Sequence, residues 1–572
     1  MNTVIKGLGV SDGLGIGNLL VVKAQMVPEK AITSNPEQDK EKLTKALAQA
    51  LTELEDIYKE KLESLGEDKA QIFQAHMMIL QDPEWIKDIE SKIMDETFVA
   101  EYAVQVSSEA MAGMFEAMDN EYFKERAHDI RDVARRIIRI IRGHAPVDLA
   151  GAKPGTIIAA EDLTPSDTAQ LNPDNIVGIT TAIGGKTSHS AIIARTLGIP
   201  AVMGIGLEAF EKLQTETQVV LDGFKGLMTL NPTADEVLAT EKSIQRLLKE
   251  KETLRQLIGK ASKTLDGHQV ELAANIASPG DLERVLDNDA EGIGLFRSEF
   301  LFMDRNAAPS ETEQFEAYKT VLEGMKDKPV IIRTMDIGGD KEVSYLDMPK
   351  EMNPFLGYRA IRYCLNEPEI FRIQMRALLR AGVYGNLKIM LPMISAVHEV
   401  RTVKAMIEDL KTELKSEGLE FNANVPLGIM IEIPAAAIAS DLLAKEVDFF
   451  SIGTNDLIQY TVAVDRMNES IADLYTAYHP AVLRLIKMTI ENGHKAGKWV
   501  GMCGSVAGDL NLMPLLLGLG LDEFSMSPAN ILKARERVTS LSKSEAEAMV
   551  DDLLCLATAD EIEMRLKSVF PM

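Results

Sequence analysis

Cysteine is scarce in this chain, and no apolar stretch is long. Cys364, Cys503 and Cys555 are odd in number and widely spaced. They provide neither a disulfide framework nor a paired metal motif, so a reducing compartment is expected. No run of about 18 apolar residues occurs, which leaves nothing to span a membrane as a helix. Residues 1–17 lack a basic stretch followed by an apolar run, so no signal peptide is visible. A cytoplasmic location is expected. Basic charge is also in deficit: 61 Lys and Arg face 87 Asp and Glu, for a formal net charge of −26. Phosphate backbones need a basic face, so a nucleic-acid partner is disfavoured. The excess acid suits solubility and a basic protein partner.

What is present is an ordinary globular composition, with 46% apolar and 26% charged residues. The 572 residues suffice for about three domains. Residues 1–25 are apolar and glycine-rich and read as short strands and turns. In residues 26–144 proline and glycine nearly vanish, and Leu43, Leu47, Leu51, Leu54, Ile57 and Leu62 recur at helical spacing. This predicts a bundle of three to five helices. Between 145 and 230 short apolar runs return, as GTIIAAEDL, IVGITTAI and QVVLDG, with a helix after His189. They predict a compact α/β domain that residues 1–25 join, with the bundle as an insertion. Residues 231–262 are charged and free of Gly and Pro from 234 to 258. They read as an exposed linker helix of about 40 Å between units that move.

Residues 263–572 repeat strand then helix. Eight candidate strands run from QVELAANI to EFSMSP. Eight β/α units predict a TIM (β/α)8 barrel, with an open doubly wound sheet as the alternative. The fold class is therefore multidomain α/β.

In such a barrel the working residues sit at the C-terminal ends of strands. Arg297 ends GIGLFR, Arg333 ends VIIR, Glu432 ends GIMIE, Asn455 and Asp456 end FFSIGTND, and Cys503 ends WVGMC. Scattered loop charges would be the bland explanation, yet these fall at the same end of five strands. Arginine forks bind carboxylate and phosphate, so Arg297, Arg333, Arg359 and Arg466 suit a small polyanion. Glu432 and Asp456 offer hard oxygen ligands of the kind Mg²⁺ takes. Cys503 is either a general acid or an inert buried thiol.

A second motif is AIGGKTSHSAIIARTLGIPAVMG. Gly184-Gly185 permit a tight turn, and Thr187 and Ser188 are helix-capping types. His189 thus falls on the first turn of a helix, where free N–H groups favour phosphate. A neutral imidazole is a workable nucleophile there. GGKT is not a P-loop, because the required earlier glycine is Thr180.

With GGKTSHSAIIAR, GLFRSEFLFM, IIRTMDIGGDK, NPFLGYRAIR, MIEIPAA, FFSIGTNDLIQY and GMCGSVAGD together, the chain resembles the Enzyme I family. These are the phosphoenolpyruvate-protein phosphotransferases of the bacterial sugar phosphotransferase system. QAHMMILQDPE and ERAHDIRDVARR resemble Enzyme I alone, whereas the other motifs are shared with pyruvate phosphate dikinase and phosphoenolpyruvate synthase. The resemblance implies that His189 takes the phosphoryl group on Nε2. Arg297, Arg333, Asn455 and Arg466 would hold phosphoenolpyruvate, with Arg359 and Asp456 beside it. Glu432 and Asp456 would bind Mg²⁺, and Cys503 would protonate enolpyruvate to pyruvate. The insertion would dock the carrier protein HPr. Met77, Met78 and Leu80 are either its apolar face or bundle core, and His76 and Arg126 are further candidates for that face. The barrel would form a homodimer. Lys186 stands where the family often has arginine, and the charge is kept.

Two rivals compete. A phosphoenolpyruvate synthase or pyruvate phosphate dikinase would carry an additional ATP-grasp domain, for which this chain has no room. A non-enzymatic phosphoenolpyruvate sensor finds no support, since every catalytic position holds a competent side chain.

Overall fold

The computed structural model describes residues 2–22, 28–65, 67–116, 121–144, 149, 151–168, 171–185, 188–303, 305, 307–339, 341, 343, 345–346 and 348–571. The chain divides into two compact units, Met1–Glu250 and Lys251–Met572.

The first unit contains an eight-stranded sheet. Its strands are Thr3–Lys6 (β1), Leu8–Ser11 (β2), Leu14–Val22 (β3), Thr156–Ala160 (β4), Ile176–Thr181 (β5), Ala201–Met203 (β6), Gln218–Asp222 (β7) and Leu227–Leu230 (β8). The order is β1-β8-β7-β3-β4-β5-β6-β2. Strand β3 pairs parallel with β4 from Asn18↔Thr156 to Val22↔Ala160. The sheet therefore closes over a long excursion of the chain, and the bundle is an insertion between two neighbouring strands. Every residue of β4 is buried, as expected for a parallel strand covered on both faces. The early glycines have a steric cause: a Cβ at Gly15 would lie 2.1 Å from the Val177 carbonyl oxygen, and one at Gly17 2.0 Å from that of Gly155.

The insertion is five helices: Pro36–Leu65, Glu67–Leu80, Pro83–Met94, Ala100–Glu116 and Glu121–Ile141. Of the apolar positions in the first, Leu43 and Leu54 are fully buried, and Leu47, Leu51 and Ile57 pack against the same core; the Leu62 side chain lies outside the described residues. Asp82 caps the third helix by accepting from the N–H groups of Glu84 and Trp85, ahead of a proline in the first turn. Helical phase then buries Trp85, Ile89 and Ile93 together. The same phase divides the candidate docking face. Leu80 and His76 point inward, Met77 is half-buried, and Met78 is exposed. His76 is not a surface residue: its Nε2 lies 3.3 Å from Asp129 Oδ1 inside the bundle. Arg126 donates to the other oxygen of Asp129 at 2.9 Å.

The charged segment after β8 forms the helix Ala234–Arg255, in which only Leu254 is buried. Its 22 residues span about 33 Å, shorter than the sequence suggests. Tight turns through Gln256–Lys260 end it.

The second unit is a closed barrel of parallel strands: Glu271–Ile276 (β9), Gly292–Arg297 (β10), Pro329–Arg333 (β11), Asn386–Leu391 (β12), Leu427–Ile431 (β13), Phe449–Ile452 (β14), Trp499–Met502 (β15) and Glu523–Met526 (β16). Strand β16 pairs with β9 from Glu523↔Glu271 onward, so the sheet has no edge and the open-sheet alternative falls. The large core of this unit lies in and around the barrel.

Candidate active site

Register builds the site. Arg297 and Arg333 are Cα partners at the C-terminal ends of β10 and β11, so two guanidinium groups start from adjacent strands. Arg297 is exposed at the strand end, whereas Arg333 is buried. Such a cation needs counter-charge. Arg333 pairs through Nη2 with Glu299 and through Nη1 with Asp336 Oδ2 at 3.0 Å.

Asp336 is the hub. Its Oδ1 also accepts from Arg359 Nη2 at 2.8 Å and Nε at 3.3 Å. Burial opposes its ionisation, yet Arg333, Arg359 and Lys341 hold its carboxyl well below the usual range. The loop that follows turns at Gly338 and Gly339, with φ of 110° and 73°. A Cβ at Gly338 would lie 2.5 Å from Arg359 Cβ, so only glycine lets this turn pass against the arginine.

The remaining groups come from β13, β14 and β15. Glu432 directly follows β13 and is 1% exposed. Its Oε1 accepts the Met393 N–H at 2.6 Å. Asn455 and Asp456 open the helix Thr454–Val462 after β14. Asp456 Oδ2 lies 3.5 Å from Arg359 Nη2, and its Oδ1 lies 3.6 Å from Arg466 Nη1. The Phe355 ring lies against both Arg359 and Arg466, 5.8 and 5.5 Å from centroid to guanidinium carbon. Asn455 turns its amide oxygen to Ser505, accepting from Oγ at 2.7 Å. Cys503 follows β15, and burial pushes its thiol up to about 12.

Arg333, Arg359, Arg466, Asp456 and Asp336 thus form one connected set, with Glu432 and Cys503 in electrostatic range of it and Arg297 in range of Arg333, Asp336 and Cys503. Burial and the neighbouring Asp456 and Asp336 push the Glu432 carboxyl up to about 8. Two buried carboxyls that repel one another are a place for a cation. Asp456 Oδ1 is buried and accepts no hydrogen bond, with the Arg466 guanidinium 3.6 Å away, which leaves it a lone pair to offer. Among the described residues no three His, Cys, Asp or Glu side chains are placed to hold a metal ion by themselves. The donor set, two carboxylates with no imidazole or thiolate beside them, would fit a hard ion.

In the first unit, His189 opens the helix His189–Leu197. Ser188 is its cap and accepts from Ala191 N–H at 3.4 Å, while Gly184 adopts φ of 107° in the turn before it. Ser190 Oγ donates to Asp162 at 2.9 Å and secures the helix start. Lys186, Thr187 and the His189 side chain lie outside the described residues.

The chain matches three families: PEP-utilising enzyme, N-terminal (residues 6–126), PEP-utilising enzyme, mobile domain (152–226), and PEP-utilising enzyme, PEP-binding domain (251–543). A phosphoenolpyruvate-protein phosphotransferase of Priestia megaterium is 49% identical over 100% of both chains. One from Bacillus subtilis (strain 168) is 50% identical over 99% of each. The chain belongs to the phosphoenolpyruvate-protein phosphotransferase family. The solution structure of an Enzyme I protein (nEIt) is 36% identical over 42% of this chain and 99% of its own, with a TM-score of 0.39.

This phosphotransferase holds site residues that sequence reasoning passed over. Glu299, Asp336 and Lys341 lie inside motifs already singled out, GLFRSEFLFM and IIRTMDIGGDK. Tyr460 also joins the set, within 3.3 Å of Arg359 Nη1. The carboxylates had a usable signal. A barrel that brings several arginines together must supply buried anions to hold them. No helix among the described residues is long and apolar enough to cross a membrane.

Proposed function

We propose that this phosphotransferase moves the phosphoryl group of phosphoenolpyruvate onto His189 and from there to the carrier protein HPr, as the first step of sugar uptake. The observation that carries the reading is the buried pair Arg333 and Arg359 beside Glu432 and Asp456 at the C-terminal end of the barrel strands.

Arg297, Arg333, Arg359, Asn455 and Arg466 bind the carboxylate and phosphate of the substrate. Phosphoryl transfer asks for position and charge neutralisation more than covalent help. Glu432 and Asp456 would hold Mg²⁺, whose chemistry when bound is Lewis-acid neutralisation of phosphate charge. His189 attacks phosphorus; the new N–P bond forms as the P–O bond to enolpyruvate breaks. The N–H groups and dipole of the helix start favour the phosphoryl charge on His189. Cys503 then gives its proton to the methylene carbon, and pyruvate leaves. A thiol raised to about 12 keeps that proton at neutral pH. Tautomerisation of the enol makes the donor energetic, so no ATP is required.

His189 and the arginines belong to different units. The histidine must reach the barrel mouth and then leave for the carrier, by a swivel about residues 231–262. We assign residues 1–25 and 145–230 to the phosphohistidine domain, 26–144 to HPr docking, and 263–572 to substrate binding and homodimer formation, in a cytoplasmic enzyme. Exposed Met78 supports an adaptable docking face on the bundle.

Labelled phosphoenolpyruvate with Mg²⁺ tests the reading. Wild-type protein should gain an acid-labile label, and His189→Ala should gain none while still binding the substrate. Label on another side chain, or none on wild-type protein, overturns it.

A further inference from the structure

We propose that Glu523, beneath Cys503 inside the barrel, returns the proton that Cys503 gives up, by way of the Ser451 hydroxyl. The inference rests on the reading of Cys503 as the acid that makes pyruvate, and it assigns a role to residues below the substrate site.

Strand register brings the three side chains together. Cys503 lies two residues beyond Gly501 on the same inward-facing row, about 6.6 Å along the strand. Gly501 has no side chain, and Glu523 Oε2 fills that place: a Cβ there would lie 2.2 Å from it. Ser451 is the Cα partner of Gly501 on the neighbouring strand β14, so it faces inward beside that oxygen. Ser451 Oγ and Glu523 Oε2 are both buried, and neither makes a hydrogen bond of normal geometry. Ser451 is nevertheless near enough to the Cys503 thiol to favour its ionisation. Buried polar atoms are normally partnered. Two unpartnered ones side by side, under a residue that must exchange a proton, are accounted for by a proton path.

Once Cys503 has protonated the methylene carbon, its thiolate is buried and must be neutralised before the next turnover. Leu295, Ile331, Met390, Met430 and Phe449 share an apolar cluster with it. Arg333 and Glu432 are also in range of the thiol; a guanidinium does not release its proton in proteins, and Glu432 is assigned to the metal. The column below is the polar side. Burial, then Glu271, raise the Glu523 carboxyl well above the usual range against the pull of Lys388, and Asp522 adds to the push. Glu523 therefore holds a proton near neutral pH. That proton leaves the carboxyl for Ser451 Oγ as the Ser451 hydroxyl proton passes to Cys503 Sγ. The Glu523 carboxylate is then reprotonated through Glu271, half-buried at the N-terminal end of the barrel.

The test is rapid-quench measurement of pyruvate with full-length protein, phosphoenolpyruvate, Mg²⁺ and excess HPr. In Glu523→Gln the first equivalent of pyruvate should form at the wild-type rate, because Cys503 starts protonated. Later turnovers should slow about tenfold or more, so that the variant shows a burst. Ser451→Ala, which removes only the hydroxyl, should show the same burst, and it replaces Glu523→Gln should that variant fail to melt cooperatively. Later turnovers at the wild-type rate, or equal slowing of the first and later ones, overturn the relay. Wild-type protein that forms no pyruvate, or Cys503→Ala that forms it at full rate, would instead strike the proposed function.

Discussion

Arg359 donates from Nη2 to Oδ1 of Asp336 at 2.8 Å, and both side chains are 2% exposed. The same carboxylate lies 3.0 Å from Arg333 through its other oxygen. Removing one partner of a buried ion pair leaves a charge that water cannot reach. Asp336→Asn keeps the volume and strands two guanidinium groups. It should lower unfolding free energy by about 3–5 kcal/mol, read by chemical denaturation. A loss under about 1 kcal/mol would show that the arginines find other counter-charges.

The three cysteines should separate by reactivity. Cys555 is exposed, while Cys364 and Cys503 are buried. Burial pushes Cys503 up to about 12 and Cys364 upward as well. The thiolate is the reactive form, so iodoacetamide at neutral pH should label Cys555 first and the other two only on unfolding. Mass spectrometry of peptides reads the order. Cys503→Ala should slow pyruvate formation by about 10²–10⁴-fold and reduce labelling of His189 less, because proton transfer to carbon follows phosphoryl transfer.

Glu432 and Asp456 repel one another in a buried site. Without metal this is a cost to the fold. Glu432→Gln removes it and should raise the melting temperature of metal-free protein by about 2 °C or more. The same variant should lose Mg²⁺-dependent pyruvate formation. Chelation of the wild-type protein should stop turnover while circular dichroism stays unchanged. A variant that melts lower or keeps turnover would mean that these carboxyls do not serve a cation.

The strands of the barrel were legible because each is a continuous apolar run, and Arg297 and Arg333 stand out where the run breaks. Their partners were not. Glu299 meets Arg333 only because β10 and β11 lie side by side in register. Lys341 needs the turn at Gly338-Gly339 to arrive. Local pattern carries neither fact. In the bundle, Met77, Met78 and Leu80 look alike as a string, and only helical phase shows that Leu80 is core and Met78 surface. The linker helix stops short of Gly259 for a tertiary reason. Arg535 Nη1 takes the Leu257 carbonyl at 3.0 Å, and Asp289 takes the Gly259 N–H at 2.7 Å.

Closure of the barrel creates a buried titration. Glu523 and Glu271 are register partners where β16 meets β9. The Glu523 carboxyl fits because a Cβ at Gly294 would lie 2.1 Å from one oxygen and a Cβ at Gly501 2.2 Å from the other. Burial, then Glu271, push Glu523 well above the usual carboxyl range; Lys388 pulls the other way, and Asp522 adds to the push. Lys388 is itself occupied over the Trp499 ring at 4.5 Å. A carboxyl raised in the folded state contributes fully below its unfolded pKa of about 4.3. That contribution is lost as pH climbs toward the folded value, because the unfolded chain ionises first. Glu523→Gln mimics the protonated acid, and its amide can donate to Glu271. It should match wild type near pH 4 and exceed it by about 1 kcal/mol or more at pH 8, measured by urea unfolding across that range. A variant less stable than wild type at pH 8, or a difference that ignores pH, would show that Glu523 is ionised in the folded barrel.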